Sequence, residues 1–104
     1  MSLRGRRAAV FGLGCSGVAV AHFLQQRGAV VTAFDQQPDT ALGTVPQQLR
    51  EGGITALTGV GEWSAVGPVD VLVASPGVPI THPFLQTARA AGVEVIGEVE
   101  LAYR

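Results

Sequence analysis

Three glycines at a fixed spacing are the residues of this chain whose arrangement most clearly predicts a binding chemistry. Gly12, Gly14 and Gly17 form a Gly-x-Gly-x-x-Gly turn directly after the apolar run 8–11. In such a turn the first glycine permits the tight bend, the second lets the backbone approach a phosphate, and the third lets helix pack against strand. The helix that follows would aim its unpaired N–H groups and the positive end of its dipole at the same place. The turn therefore predicts a diphosphate site.

An acid at the end of the next predicted strand extends this pattern. Asp35 lies 18 residues after Gly17, close to the offset of about 20 residues at which an acid binds ribose in nucleotide-binding βαβ units. A strand-end acid can also be a solvated turn residue or a helix cap. The order of strand, turn, helix, strand and acid favours nucleotide binding over an ordinary strand-to-helix turn.

Composition limits the function classes. The 104 residues predict one domain, too short for a nucleotide-binding domain together with a full catalytic domain. The net charge of −1, with no long charge run, argues against nucleic-acid or membrane partners. One cysteine, no signal-peptide layout and no apolar stretch of membrane-spanning length favour a reducing, cytoplasmic setting.

Several residues are weaker candidates, and we predict no catalytic residue. The sequence has no lysine, which excludes a phosphate-binding Gly-Lys-Ser/Thr loop and a Schiff-base lysine. Two histidines and one cysteine are too few for a metal cluster. We interpret Cys15 as lining the glycine turn, His82 as a helix cap, and Glu98 with Glu100 as a solvated helix face.

Short apolar runs alternate with helical or turn-rich segments along the chain. This alternation predicts an α/β fold, a Rossmann-like open parallel sheet of about five strands with helices on both faces. The predicted strands cover 7–12, 29–35, 53–57, 69–74 and 93–97. The predicted helices cover 16–27, 46–51 and 82–91, followed by a helical tail at 98–104.

The strand order decides which loops can form one site. With right-handed crossovers the order is 3-2-1-4-5, so strands 1 and 4 are neighbours and ligands bind at their carboxyl ends. The loops that leave strands 1, 2 and 4 there are the turn 12–17, the segment 35–37 and the rigid Ser-Pro-Gly turn 75–77. The sequence predicts that these three segments border one crevice.

Three motifs, taken in order, resemble the N-terminal domain of the Mur ligases, and among these the members that add D-glutamate. They are Phe-Gly-Leu-Gly-Cys-Ser-Gly-Val-Ala at 11–19, Val-Ala-Ser-Pro-Gly-Val-Pro at 73–79 followed by His82-Pro83, and Gly-Glu-Val-Glu-Leu at 97–101. The match spans nearly the whole chain. The ordered set is much more specific than the glycine pattern alone.

The resemblance implies that residues 1–104 form a single domain that holds the UDP portion of UDP-N-acetylmuramoyl-L-alanine in cytoplasmic peptidoglycan synthesis. Full-length relatives have a central ATP-binding domain, with magnesium, and a C-terminal domain, and these activate the substrate carboxylate as an acyl phosphate for attack by D-glutamate. Neither later domain is in this sequence. The chain alone is therefore expected to bind the UDP substrate without a cofactor of its own and without catalysis.

The family's binding residues are carried over by motif. The resemblance implies a diphosphate site at Gly14, Cys15, Ser16 and Gly17, uridine contacts at Asp35, Gln36 and Gln37, and a pocket completed by Ser75, Pro76 and Gly77. Relatives often have Thr-Arg or Ser-Arg after the acid, whereas Gln36-Gln37 brings no cation. The residues themselves predict a phosphate site without choosing uridine over adenine. An NAD(P)-binding domain of a dehydrogenase and a stand-alone nucleotide sensor therefore remain alternatives.

Overall fold

Five parallel strands form one sheet in the order β3-β2-β1-β4-β5. The computed structural model describes residues 3–102, apart from the side chains of Cys15, Val99 and Ala102. The strands are β1 Arg7–Phe11, β2 Val30–Phe34, β3 Thr55–Leu57, β4 Val71–Ala74 and β5 Glu94–Gly97. The helices are α1 Cys15–Gln26, α2 Val45–Glu51, α3 Pro83–Ala90 and α4 Glu98–Ala102, with short 3₁₀ turns at Asp39–Ala41 and Trp63–Ala65. The predicted fold class and strand order are confirmed.

The differences from the sequence prediction are local. The strand predicted at 69–74 begins at Val71, because the Asp70 carboxylate turns back to accept a hydrogen bond from the Arg7 N–H at 2.8 Å. The 3₁₀ turn at Asp39–Ala41, which follows Pro38, was not predicted. Residues 103–104 of the predicted helical tail lie outside the described residues.

Glycines end α1 and α3 and lead directly into the next strand. Gly28 takes a φ of +97°, and the Ala29 N–H then donates to the Leu24 carbonyl at 3.1 Å. This pairing satisfies a carbonyl that the helix end would otherwise leave without a partner. The α3 helix ends in the same way at Gly92, with a φ of +86°. The two glycines directly follow the helices predicted at 16–27 and 82–91.

The sheet is covered on both faces, which explains why residues 8–11 of β1 and all of β4 are apolar. One face packs against α1, α2 and α4, with Val20, Leu24, Leu49 and Leu101 among the buried residues. The other face packs against α3 through an aromatic cluster whose members are Phe11, Phe34, Phe84 and Trp63. All four residues of β4 are buried, as expected for a strand covered on both sides. Because β2, β1 and β4 are parallel neighbours in the sheet, their carboxyl ends lie side by side.

Candidate functional site

The glycine turn after β1 is tightly packed at its first and last glycines. Gly12 takes a φ of +110°, a conformation that disfavours any side chain, and a Cβ there would lie 2.6 Å from Ser75 Oγ. A Cβ at Gly17 would lie 1.8 Å from the Gly12 carbonyl oxygen. These contacts agree with the roles that the sequence predicts for the two positions, a tight bend and close packing of helix on strand.

The middle of the turn is open. Gly14 is exposed, and a Cβ at this position would meet nothing within 4 Å. Gly14 is the N-cap of α1 and has no side chain with which to cap the helix. The first hydrogen bond of the helix runs from the Val18 N–H to the Gly14 carbonyl at 3.0 Å. The N–H groups of Cys15, Ser16 and Gly17 thus precede the helical ladder, where donors lack an intrahelical acceptor. The start of α1 presents these donors beside open space.

Asp35 joins the glycine turn to the loop that follows β2. The carboxylate is half-buried, and its Oδ2 atom accepts a hydrogen bond from the Leu13 N–H at 2.9 Å. Its Oδ1 atom accepts one from the Gln37 N–H, also at 2.9 Å. Each oxygen keeps a further lone pair, because a carboxylate oxygen can accept two hydrogen bonds. Asp35 therefore fixes both loops and can still accept a hydrogen bond from a ligand hydroxyl.

The Ser-Pro-Gly turn is anchored at its first residue and open at the other two. The Ser75 hydroxyl donates to the carbonyl of Phe11 at 2.9 Å, and the Ser75 N–H donates to the same oxygen at 3.2 Å. Pro76 and Gly77 are exposed, and a Cβ on Gly77 would meet nothing within 4 Å. Ser75 thus holds the end of β4 against the glycine turn, as the strand order predicts.

A hydrogen bond that the sequence does not predict links the loop after β2 to the start of α3. His82 is the N-cap of α3, as predicted, and its Nδ1 atom accepts from the Phe84 N–H at 3.0 Å. On the other side of the ring, His82 Nε2 lies 3.1 Å from Gln36 Oε1. The two residues are 46 positions apart, and no local signal in the sequence pairs them.

A cavity of about 290 Å³ lies between the Ser-Pro-Gly turn and α4, on the far side of β4 from the glycine turn. Its lining includes Ile80, Arg89 and Glu98. The sequence predicts no ligand contact for any of these three residues. The interpretation of Glu98 as a solvated acid is only partly correct. Its Oε2 atom is buried and has no hydrogen-bond partner within the described part of the chain.

Residues 3–102 contain neither a cluster of metal-ligating side chains nor a helix that could span a membrane. No group of three or more His, Cys, Asp or Glu side chains there is placed to hold a metal ion. None of the helices in that range is long and apolar enough to cross a membrane.

The parallel sheet, the open glycine turn and the strand-end acid together define a Rossmann-like domain. A family model described as "Mur ligase MurD-like, N-terminal domain" matches residues 6–97. The chain therefore belongs to the MurD-like family of Mur ligase N-terminal domains. This confirms the resemblance inferred from the three sequence motifs.

Individual relatives agree with this assignment. The chain is 46% identical over 104 residues to the UDP-N-acetylmuramoylalanine--D-glutamate ligase of Myxococcus xanthus, covering 100% of this chain and 23% of the relative. Among solved structures, a pseudomurein peptide ligase type C from Methanothermus fervidus superposes with a TM-score of 0.76 at 22% identity, over 96% of this chain and 20% of that one. A UDP-N-acetylmuramate-alanine ligase from Thermotoga maritima gives a TM-score of 0.67 at 20% identity, over 92% and 21%. These two structural likenesses show the fold alone.

Proposed function

We propose that this domain binds the UDP portion of UDP-N-acetylmuramoyl-L-alanine for an ATP-dependent ligase that adds D-glutamate in cytoplasmic peptidoglycan synthesis. The observation that carries the proposal is the meeting of the open start of α1, the Asp35 loop and the Ser-Pro-Gly turn at one edge of the sheet. Membership of the MurD-like family supports the choice of a UDP-sugar peptide over other nucleotides. In this proposal ATP, magnesium and D-glutamate are handled by other parts of a longer ligase.

Each open segment would bind a different part of the ligand. The exposed backbone at Gly14 and the N–H groups at the start of α1 would bind the diphosphate, because they combine free hydrogen-bond donors with the positive end of the helix dipole. Asp35, Gln36 and Gln37 lie at the end of the neighbouring strand β2 and would contact the uridine. Ser75, Pro76 and Gly77 lie on the other side of the glycine turn and would complete the pocket, with Pro76 and Gly77 open to the ligand.

The proposal is tested by titrating the ¹⁵N-labelled chain with UDP-N-acetylmuramoyl-L-alanine and, separately, with NADH. We expect the UDP compound to shift the amide signals of residues 14–17, Ser75 and Gly77 in a saturable manner. Shifts at residues 14–17 with NADH and none with the UDP compound would favour a dehydrogenase domain and overturn the proposal. Binding of neither compound would also overturn it for the isolated chain.

A pair of matched variants separates the site from general effects of substitution. Gly14→Val places a branched side chain in the open space of the turn, and we expect it to abolish the shifts. Gly61→Val makes the same change at another glycine where a Cβ would meet nothing within 4 Å and no left-handed φ is required. The Gly61 variant should bind as the natural chain does. Equal loss of binding in both variants would contradict the placement of the diphosphate.

A further inference from the structure

We infer that His82 is a positioning residue that orients the Gln36 amide, so that Gln36 offers an N–H donor to the O4 carbonyl of a uracil base and disfavours cytosine. The inference deepens the proposed function and rests on it. It concerns Gln36, which directly follows the strand-end acid Asp35.

The hydrogen bond from Phe84 determines which nitrogen of the His82 ring carries the proton. A backbone N–H can only donate, so the Nδ1 atom of His82, which lies 3.0 Å from the Phe84 nitrogen, must offer a lone pair. The neutral ring then carries its proton on Nε2. The N-cap of α3 therefore determines which nitrogen of His82 is the donor.

The position of this proton determines the orientation of the glutamine. Because Nε2 carries the proton, the Gln36 atom 3.1 Å from it must be the acceptor Oε1 and not the amide nitrogen. The Gln36 amide group is thereby fixed with its NH₂ turned away from the ring. Within residues 3–102 this NH₂ group donates no hydrogen bond, and Gln36 is exposed. A pair of oriented donors is thus left for a ligand.

Two aromatic side chains hold the His82 ring in place. The His82 ring packs edge-on against Phe11, with centroids 4.9 Å apart, and against Phe84 at the same distance. Phe11 is the last residue of the central strand and directly precedes the glycine turn. The ring is therefore held between two core aromatic side chains and cannot turn without breaking the cap of α3.

The chemistry of the two pyrimidines differs at the atom that we expect Gln36 to reach. Uracil has a carbonyl acceptor at position 4, where cytosine has an amino donor. An oriented NH₂ group matches the first and opposes the second. A glutamine free to rotate by 180° would offer its oxygen to cytosine and lose this preference, so the fixed orientation is what would give the selectivity.

The test compares the affinities of UDP and CDP for the natural chain and for two variants, measured by amide shifts in NMR titrations. Gln36→Glu keeps an oxygen for the His82 proton but replaces the donor by an acceptor. His82→Asn keeps a good N-cap while being too short to reach Gln36. We expect the UDP-to-CDP affinity ratio to fall by about tenfold in Gln36→Glu and by about threefold in His82→Asn.

Controls distinguish positioning from a structural effect. Gln48→Glu adds the same negative charge on the exposed surface of α2 and should leave the ratio unchanged. In the natural chain and in Gln36→Glu, long-range ¹H–¹⁵N correlations of the imidazole should show His82 protonated on Nε2, with His22 as the internal reference. A proton on Nδ1 in the natural chain would overturn the inference.

Different results would overturn the role of His82 and the proposed function. If UDP shifts residues 14–17 but the UDP-to-CDP ratio is the same in the natural chain and both variants, the role of His82 and Gln36 is wrong and the proposed function stands. If the natural chain binds neither nucleotide, the proposed function fails and the inference fails with it.

Discussion

The contact between Gly17 and Gly12 gives the sharpest quantitative prediction. In Gly17→Ala the new methyl carbon would lie 1.8 Å from the Gly12 carbonyl oxygen, which is short of ordinary van der Waals contact by about 1.6 Å. The obstacle is backbone at the end of the central strand, so it cannot move aside as a flexible side chain would. Overpacking of this kind costs about 3 kcal/mol at the upper end of its usual range.

The helix preference of alanine offsets part of this cost in the free energy of unfolding. Alanine is favoured over glycine inside a helix by roughly 1 kcal/mol, partly because it restricts the unfolded chain. The net expectation for Gly17→Ala is a loss of about 2 kcal/mol in the free energy of unfolding. For a domain of this size that lowers the Tm by about 10 °C.

Gly14→Ala is the matched control, because a Cβ there would meet nothing within 4 Å and the φ of −79° suits any residue. Alanine is a poorer N-cap than glycine, but the restricted unfolded chain offsets this, so the net change should be within about 0.5 kcal/mol. Thermal unfolding followed by far-UV circular dichroism measures both variants. If the two variants melt at the same temperature, the close contact between Gly17 and Gly12 is wrong.

Three further predictions concern the supports of the site and the sheet. Ser75→Ala removes the hydroxyl that donates to the end of β1 at 2.9 Å, and we expect denaturant titration to show a loss of about 1 kcal/mol; no loss would mean that this bond does not hold the turn. Phe34→Ala empties a fully buried position in the aromatic cluster and should lower the free energy of unfolding by about 3–5 kcal/mol, whereas a loss below about 1 kcal/mol would show that the cluster is loosely packed. Hydrogen bonds from Thr58 and from Arg50 hold the pKa of Asp39 below its usual 3.8. The ionised carboxylate therefore stabilises the fold at pH values above 3.8, and this stabilisation is lost as the pH falls through the lowered pKa of the folded state. Melting curves of the natural chain and Asp39→Asn should differ at neutral pH and converge in acid, and a constant difference would contradict this assignment.

Much of the fold could be predicted because the informative signals are local. A buried strand such as β4 is apolar along its whole length, and glycines such as Gly28 and Gly92 lie where a helix must end in a left-handed conformation. The strand order followed from the handedness of crossover connections, which reduces the possible arrangements to very few. Hence the sequence predicts that the three site segments meet at one edge of the sheet.

The details of the site could not be predicted, because they depend on side chains that meet only after folding. Asp35 was predicted to face a nucleotide, and no sequence pattern indicates that its two oxygens also accept hydrogen bonds from the N–H groups of Leu13 and Gln37. The His82–Gln36 hydrogen bond joins residues 46 positions apart, and neither residue type indicates its partner. The burial of one Glu98 oxygen likewise depends on how α4 lies against the sheet, which a short helical pattern does not determine.

The central place of β1 has a consequence for how the chain matures. Its neighbour β4 is the fourth strand to be synthesised, and Ala8 pairs with Val71 far along the chain. Until α3 emerges from the ribosome, Phe11 lacks the Phe84 ring that packs against it, whereas Phe34 can already meet Trp63 and the opposite face can pack against α1. We therefore expect the nascent chain to pass through a partly covered stage with the Phe11 ring open to chaperones or to aggregation. Slow translation between residues 35 and 83 would prolong that stage.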